Sequence, residues 1–308
     1  MNGPRVVSLL PSATEIVAEL GLAGRLVGRS HECDYPPEVR SLPVCTAPRI
    51  DPSGSSDEIH RGVERSLDQA ISIFRVDSAL LRALEPTHVV TQIHCEVCAV
   101  SLEEVERSLS DWSGARPELV PLNPASLSDA LEDVRRIARA LGVPDRGLEL
   151  SEKLRARMGR IADRAAAQAG LRVATIEWLS PLMTAGNWMP ELVEMAGGRE
   201  LFGRAGSRSS WIEWASLRAA DPDVLLVAPC GFPLERVERE IRSLTEREGF
   251  RTMAAARRGS VFLLDGNRFF NRPGPRLAES LEMLAEIFHP DLFRFGHEGT
   301  GWTRLRGS

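Results

Sequence analysis

The sequence predicts an α/β protein made of two lobes that a long helix joins. Short apolar strands alternate with helix-forming stretches, a charged helical stretch occupies the middle, and a strand that breaks into a polar, aromatic loop occurs near each end. Alternating strands and helices imply parallel sheets, with ligands at the carboxyl ends of the strands. We expect a first lobe at 1–125, a linking helical segment at 126–170 and a second lobe at 171–308. The expected ligand site is a cleft between the lobes.

The first lobe opens with the apolar strand Val6–Leu10. Ser12 with Glu15 three residues later forms a capping-box pattern, which predicts a helix that Gly21 ends. Apolar residues then recur at helical spacing from Ser56 to Leu84 and predict a helical stretch there. Three further apolar runs predict the other strands of this lobe: Leu26–Val27, His88–Gln92 and Leu119–Leu122.

A charged stretch, Asp145–Ala169, predicts the joining helix, because it is long enough to cross a small domain at about 1.5 Å per residue. The second lobe repeats the alternation of strands and helices. Its expected strands are Leu171–Ile176, Val224–Val227 and Val261–Leu264. Its expected helices include Met189–Ala196, which Gly197 ends, and Pro275–Phe288.

Composition narrows the class of protein. The chain has 308 residues, of which 43% are hydrophobic and 26% are charged, as in an ordinary globular protein. Its net charge of -5 shows no basic excess, so nucleic acid is not an expected partner. No apolar run approaches the roughly 20 residues that span a bilayer. We expect no membrane span and a monomer.

The start of the sequence bears on its expected location. Val6 begins a strand directly after a short polar segment, without the charged and apolar regions of a secretory signal. We therefore expect a cytoplasmic protein. The alternative is a periplasmic protein from which the N-terminal signal has been trimmed. The five cysteines are an odd number, which disfavours a framework of disulfides.

Several stretches together resemble a known family. They read RVVSLLPSATE at Arg5–Glu15, VGRSHECDYPP at Val27–Pro37 and EPTHVVTQ at Glu85–Gln92, and the likeness continues at Pro181–Gly186 and around Asn271. This ordered set resembles the substrate-binding proteins of iron-siderophore and vitamin B12 ABC importers, most closely the cobalamin-binding members. The resemblance implies the class III fold, in which a single long helix joins two Rossmann-like lobes. It further implies a non-enzymatic protein that binds a corrinoid and docks on an ABC transporter permease.

The resemblance also implies which residues contact the ligand. Aromatic residues supply area for a flat ring, and amide or charged groups address its fringe of amides. The implied ligand-binding residues are Glu32, Gln92, Trp178 (or, as the alternative, Glu177), Trp211, Phe270, Asn271 and Arg272. His31 and His94 are added as candidate ligand contacts, because an imidazole can ligate the cobalt of cobalamin or a heme iron.

A cluster of histidine and cysteine suggests a second chemistry. His31 and Cys33 lie in one loop, and Cys95 and Cys98 lie in another with Cys-x-x-Cys spacing. These four residues are a candidate metal site for zinc or iron. The alternative is that the thiols are buried and serve as small apolar groups.

Some features depart from the transport family. The ordinary members lack the Cys-x-x-Cys pair, and this chain inserts a helical segment at about 57–77. An alternative hypothesis is therefore a cytoplasmic metal-binding protein or enzyme on the same fold, using the His31/Cys33/Cys95/Cys98 cluster. A third hypothesis is siderophore or heme binding, which the small number of well-placed arginines disfavours for an anionic siderophore.

Overall fold

The computed structural model describes residues 3–68, 72–93, 102–109, 112, 115–168 and 170–306. His94, Cys95 and Cys98 lie outside the described residues, so the parts of the site prediction that involve them stay predictions. The chain divides into two compact units. Unit 1 comprises Met1–Gly54, Glu58–Pro124 and Ser128–Lys153, and unit 2 comprises Ser55–Asp57, Ala125–Leu127 and Leu154–Ser308. The three-part division predicted from the sequence stays a prediction.

Unit 1 contains a parallel sheet and an antiparallel strand pair. The strands are β1 (Val6–Ser8), β2 (Leu26–Arg29), β3 (Thr46–Pro48), β4 (Phe74–Val76), β5 (His88–Gln92) and β6 (Glu118–Leu122). The sheet has the order β2-β1-β5-β6 with all neighbours parallel, and β3 pairs with β4. The helices are α1 (Pro11–Val17), α2 (Ser56–Asp68), α3 (Ser78–Ala83), α4 (Leu102–Ser108) and α5 (Leu127–Ala140), whose first residue belongs to unit 2.

The region after Ser56 differs from the continuous helical stretch expected there. Helix α2 ends at Asp68, and Phe74–Val76 forms strand β4, antiparallel to Thr46–Pro48. The expected helical insertion at 57–77 is therefore wrong over its second part. Side chains of β4 contribute to the core of unit 1, where Phe74 packs with Leu81 and Val105. This long-range pairing outweighs the local helical spacing.

The first helix also begins differently. Leu10 occupies the N-cap position and Pro11 the first turn, where a missing N–H costs no intrahelical hydrogen bond. Ser12 lies inside the helix, so the expected capping box with Glu15 is not formed. Gly21 marks the end of the following helical turns, with a φ of 74° that glycine adopts without strain.

Helix α6 (Pro144–Ala165) has 22 residues, and the boundary between the units falls within it, after Lys153. Its apolar positions in the second half, among them Leu154, Met158 and Ile161, are buried, while charged residues lie between them. This is the amphipathic pattern expected of a long helix that packs along one face.

Unit 2 is built on a seven-stranded mixed sheet. Its strands are β7 (Leu171–Trp178), β8 (Met183–Thr184), β9 (Gly198–Glu200), β10 (Ser210–Trp211), β11 (Val224–Val227), β12 (Val261–Leu264) and β13 (Trp302–Arg304). The order is β10-β8-β7-β11-β12-β13, with β9 beside β7; β7, β11 and β12 are parallel. The helices after α6 are α7 (Met189–Met195), α8 (Trp214–Ala220), α9 (Leu234–Glu240), α10 (Arg242–Thr245), α11 (Ala254–Arg257) and α12 (Leu277–Phe288).

Burial explains why the centre of this sheet forms where it does. Every residue of β11 and of β12 is buried, as expected for central parallel strands covered on both faces. Every residue of helix α12 except Glu279 is buried. Within the described residues, no helix is both long enough and apolar enough to cross a bilayer. The predicted α/β class with parallel sheets is confirmed.

Candidate functional site

In unit 1 the predicted ligand residues follow the carboxyl ends of parallel strands. His31, Glu32 and Cys33 come directly after β2, and Gln92 is the last residue of β5. Gln92 is 8% exposed, whereas Glu32 is half-buried with its backbone N–H directed to the Ser30 hydroxyl at 3.3 Å. The topology therefore brings these residues to one edge of the sheet.

His31 is held in a defined orientation. Its backbone N–H donates to Thr46 Oγ1 at 3.0 Å, and its Nδ1 lies 2.7 Å from the same oxygen. The ring packs near Phe74, with 5.5 Å between ring centroids. Burial, with a smaller contribution from the Arg29 charge, lowers the pKa of His31. The imidazole is therefore neutral at pH 7, the form that binds a metal.

Cys33 packs inward. Its side chain is fully buried, and Thr14 Oγ1 donates to its Sγ at 3.0 Å. The Cys33 thiol thus contacts helix α1. This packing agrees with the alternative hypothesis, in which the cysteines serve as small buried groups. Among the residues with described positions, no group of three or more His, Cys, Asp or Glu could hold a metal. Because Cys95 and Cys98 lie outside those residues, the four-residue zinc or iron site stays a prediction.

In unit 2 the predicted residues fall into two groups. Trp211 lies on the edge strand β10 and is 56% exposed, and Asn271 is half-buried after β12. The other predicted residues are packed: the Phe270 ring has no exposed surface, and Arg272 is 4% exposed with Nη2 donating to Asn267 Oδ1 at 3.2 Å. Trp178 is 9% exposed and donates its ring N–H to the Ser180 carbonyl at 3.1 Å.

Sequence reasoning gave too little weight to Glu177, the residue before Trp178. Glu177 Oε1 accepts from Asn271 Nδ2 at 3.1 Å, and Oε2 accepts from Ser209 Oγ at 2.6 Å. Burial raises the pKa of Glu177, although the hydrogen bonds from Ser209, Gly186 and Asn271 oppose that rise. The resemblance marked Glu177 only as the alternative to Trp178, because a position at the end of a strand cannot reveal partners 32 and 94 residues away.

Tyr35 was also missed. It is the single tyrosine of the chain, it lies in the loop after β2, and it is 39% exposed. A phenol in such a loop can contribute ring surface, a hydrogen bond or an oxygen ligand to iron. Its place in the Val27–Pro37 stretch was visible in the sequence, but its exposure was not.

The fold is similar to that of solved binding proteins. The periplasmic heme-binding protein RhuT from Roseiflexus sp. RS-1 is 22% identical with a TM-score of 0.70, over 94% of this chain and 99% of that one. A periplasmic heme-binding protein from Pseudomonas aeruginosa is 21% identical with a TM-score of 0.70, over 94% of each chain. The periplasmic vitamin B12 binding protein BtuF of Vibrio cholerae is 17% identical with a TM-score of 0.65, over 92% and 96%. The predicted class III fold is confirmed.

One curated relative bears on location. It is an uncharacterized ABC transporter substrate-binding lipoprotein, YvrC, from Bacillus subtilis, 24% identical over 300 residues, which are 94% of this chain and 81% of the relative. The expected cytoplasmic location is wrong, because this relative is a lipoprotein and the similar structures above are periplasmic proteins. The physical reason for the error is that a strand near residue 6 describes local folding and carries no information on export.

The family model for periplasmic binding proteins matches residues 112–267, about half of the chain. That match includes strands β6 to β12 and the Glu177 and Trp211 positions. Members of this family are the substrate-binding proteins of ABC transporters, which bind small molecules and are not enzymes, in agreement with the expectation from the sequence. The chain belongs to the periplasmic binding protein family.

Proposed function

We propose that this protein binds a corrinoid, with cobalamin as the reference ligand, and delivers it to the permease of an ABC importer. Three observations support the proposal: membership of the family, a curated relative named as an ABC transporter substrate-binding lipoprotein, and a similar structure named as a vitamin B12 binding protein. The sequence resemblance to cobalamin-binding members supports the same ligand.

The observation that carries the proposal is the exposure of Trp211. Folding in water favours the burial of a large indole, yet this protein leaves more than half of Trp211 accessible on a two-residue edge strand. The backbone of Trp211 pairs with that of Met183 in the neighbouring strand β8. This pairing fixes the backbone from which the indole side chain projects. A flat, largely apolar ligand ring is the kind of partner that such a surface fits.

The neighbouring polar groups favour a ligand with amides. Glu177 accepts from Asn271 Nδ2, which fixes the orientation of the Asn271 amide. The Oδ1 atom on its other side is buried and accepts no hydrogen bond from the described residues. Because this oxygen is enclosed, it is not itself proposed as a ligand contact. The support for a ligand with amides is that Asn271 is a half-buried amide, which can exchange hydrogen bonds with other amides.

The proposed ligand contacts are Trp211 and Asn271 in unit 2 and Glu32 and Gln92 in unit 1. His31, as a neutral imidazole, is proposed to contact the ligand from the loop after β2, and His94 keeps the same proposed role. For Phe270, Arg272 and Trp178, the burial described above supports a role in holding the loops that carry the contacts.

Replacing Trp211 tests the proposal. We expect Trp211→Ala to weaken cobalamin binding by tenfold to a hundredfold, because the loss of a buried indole face costs about 1.4–3 kcal/mol. The measurement is a titration followed by the absorbance of the corrin. The matched control is Phe295→Ala, which removes another exposed aromatic ring of unit 2 that the proposal leaves out of the site.

Two results would contradict this role of Trp211. Equal affinity of Trp211→Ala and the unchanged protein would remove Trp211 from the site. An equal loss in both variants would mean that the loss of affinity reflects a general change of the surface.

Heme is the second candidate ligand, and Tyr35 is the observation that favours it. A tyrosine phenolate is one of the protein ligands of heme iron, and Tyr35 is exposed after β2. Heme binding would give a Soret band that Tyr35→Phe shifts. Cobalamin binding that is indifferent to Tyr35→Phe, with no heme uptake, would discard this candidate.

A further inference from the structure

Three separate loops of unit 2 meet at the Glu177 carboxyl group. Ser209 Oγ donates to Oε2 at 2.6 Å, and Asn271 Nδ2 donates to Oε1 at 3.1 Å. The Gly186 N–H donates to Ser209 Oγ at 3.1 Å and also hydrogen-bonds Glu177. Ser209 precedes strand β10, which carries Trp211, and Asn271 follows β12. The Glu177 side chain therefore links the two segments that are proposed to contact the ligand.

The backbone packing around this carboxyl group is tight. A Cβ atom on Gly186 would lie 2.4 Å from the Ser207 carbonyl oxygen and 2.6 Å from the Ser209 nitrogen. A Cβ atom on Gly266 would lie 2.6 Å from Asn271 Oδ1. Contacts this short leave room only for glycine, so both loops approach their neighbours as closely as a backbone can.

Glu200 and Glu286, two other carboxylates of unit 2, serve as comparisons for Glu177; a third, Asp265, accepts from the Arg268 N–H at 2.7 Å within one loop of the proposed site. Glu200 accepts from the backbone N–H groups of the three residues that follow it and from Thr175. Glu286 accepts from the backbone of Phe295 and His297 and from the Trp302 ring N–H. Each of these organises a segment outside the proposed site, whereas both side-chain donors of Glu177 belong to loops of that site.

We propose that Glu177 is a positioning residue of the ligand site: it holds the segment that carries Trp211 and the segment that carries Asn271 in the single arrangement that binds the ligand. This inference rests on the proposed function. It assigns Glu177 no contact with the ligand. Its effect on affinity acts through the orientation of the Asn271 amide and the position of strand β10.

The test compares four variants in a cobalamin titration and in hydrogen exchange followed by mass spectrometry without ligand. Glu177→Ala is expected to weaken binding about tenfold and to speed exchange in residues 204–211 and 266–272. Ser209→Ala is expected to speed exchange only in 204–211. Glu177→Gln is expected to recover part of the affinity, because its carbonyl oxygen still accepts from Asn271. The matched control, Glu286→Ala, is expected to lower stability without changing either segment or the affinity.

Unchanged affinity and unchanged exchange in Glu177→Ala would overturn the inference, and so would equal effects in Glu286→Ala. If Glu177→Ala does not fold, Ser209→Ala decides by itself: exchange in 204–211 equal to that of the unchanged protein would overturn the inference. If the unchanged protein binds no cobalamin, the proposed function fails, and the exchange arm still shows whether Glu177 ties the two loops together.

Discussion

At the residue scale, burial separates the predicted site residues more sharply than their type does. Trp211 and Phe270 are both aromatic and both were predicted from the same resemblance, yet one is largely exposed and the other fully buried. The residue identities could be predicted from the sequence because the motifs are local. Their exposure could not, because it depends on packing between segments far apart in the chain.

Asp133 gives a prediction at this scale. It is 2% exposed on α5, its Oδ2 has no hydrogen-bond partner among the described residues, and Arg136 Nε is 3.8 Å from its Oδ1. Burial raises the pKa of Asp133 from 3.8 to about 7, and Arg136 only partly opposes the rise. The folded chain therefore keeps this proton to a higher pH than the unfolded chain, so stability falls as the pH rises from about 4 to about 7.

We expect Asp133→Asn to raise the free energy of unfolding at pH 8 by about 1–3 kcal/mol and to change it little at pH 4. Urea unfolding at the two pH values measures this difference. The matched control is Glu152→Gln, which neutralises an exposed carboxylate of unit 1 and is expected to have little effect at either pH. A loss of stability at pH 8 in Asp133→Asn would contradict the account.

At the element scale, the sequence predicted the apolar parallel strands well, among them the edge strands β2 and β6, and missed short strands such as β10 and β13. β5, β11 and β12 match their predicted ranges, because each is an apolar run bounded by residues that end a strand. β10 and β13 were not predicted, because two or three residues carry no usable periodicity. β4 was mistaken for helix because its pairing partner, β3, lies 26 residues earlier in the chain.

The ion pair between helices α6 and α12 gives a prediction for an element. Arg157 donates from Nε and Nη2 to the two Glu282 oxygens, each at 2.7 Å, and His297 Nε2 lies 3.0 Å from Glu282 Oε2. Burial alone would raise the pKa of Glu282, but the hydrogen bonds from His297 and Arg157 outweigh it and lower that pKa. The stabilisation is therefore present above the unfolded-state pKa of Glu282 and is lost as the pH falls through the folded-state pKa.

We expect Arg157→Ala to lower the free energy of unfolding of unit 2 by about 1–2 kcal/mol at pH 7, because Glu282 then stays buried without its bidentate partner. The loss is expected to shrink at pH 4. Urea unfolding of Arg157→Ala at pH 7 and pH 4 measures this loss of stability. The control is Arg155→Ala, which removes an exposed arginine of the same helix. A loss that is equal in the two variants would contradict a specific role for the ion pair.

At the scale of the whole molecule, the ordered set of motifs predicted the family, and the family model and the similar structures confirm it. The fold class followed from the alternation of strands and helices, which is a property of the entire chain. The cellular location could not be predicted from the same pattern, because the packing of a domain does not determine whether the protein is exported. The ligand is likewise a property of a few side chains, so fold similarity alone leaves cobalamin and heme as alternatives.

The most direct test of the corrinoid proposal is a parallel absorbance titration of the unchanged protein with cobalamin, heme and a ferric hydroxamate. We predict spectral changes that saturate at one equivalent of cobalamin, with a Kd in the micromolar range or tighter, and no saturable response to the other two. Absence of any cobalamin response at about 0.1 mM, a limit near -5 kcal/mol, would contradict the corrinoid proposal. Saturation by heme and not by cobalamin would also contradict it, and would support heme as the ligand with Tyr35 as the candidate ligand of its iron.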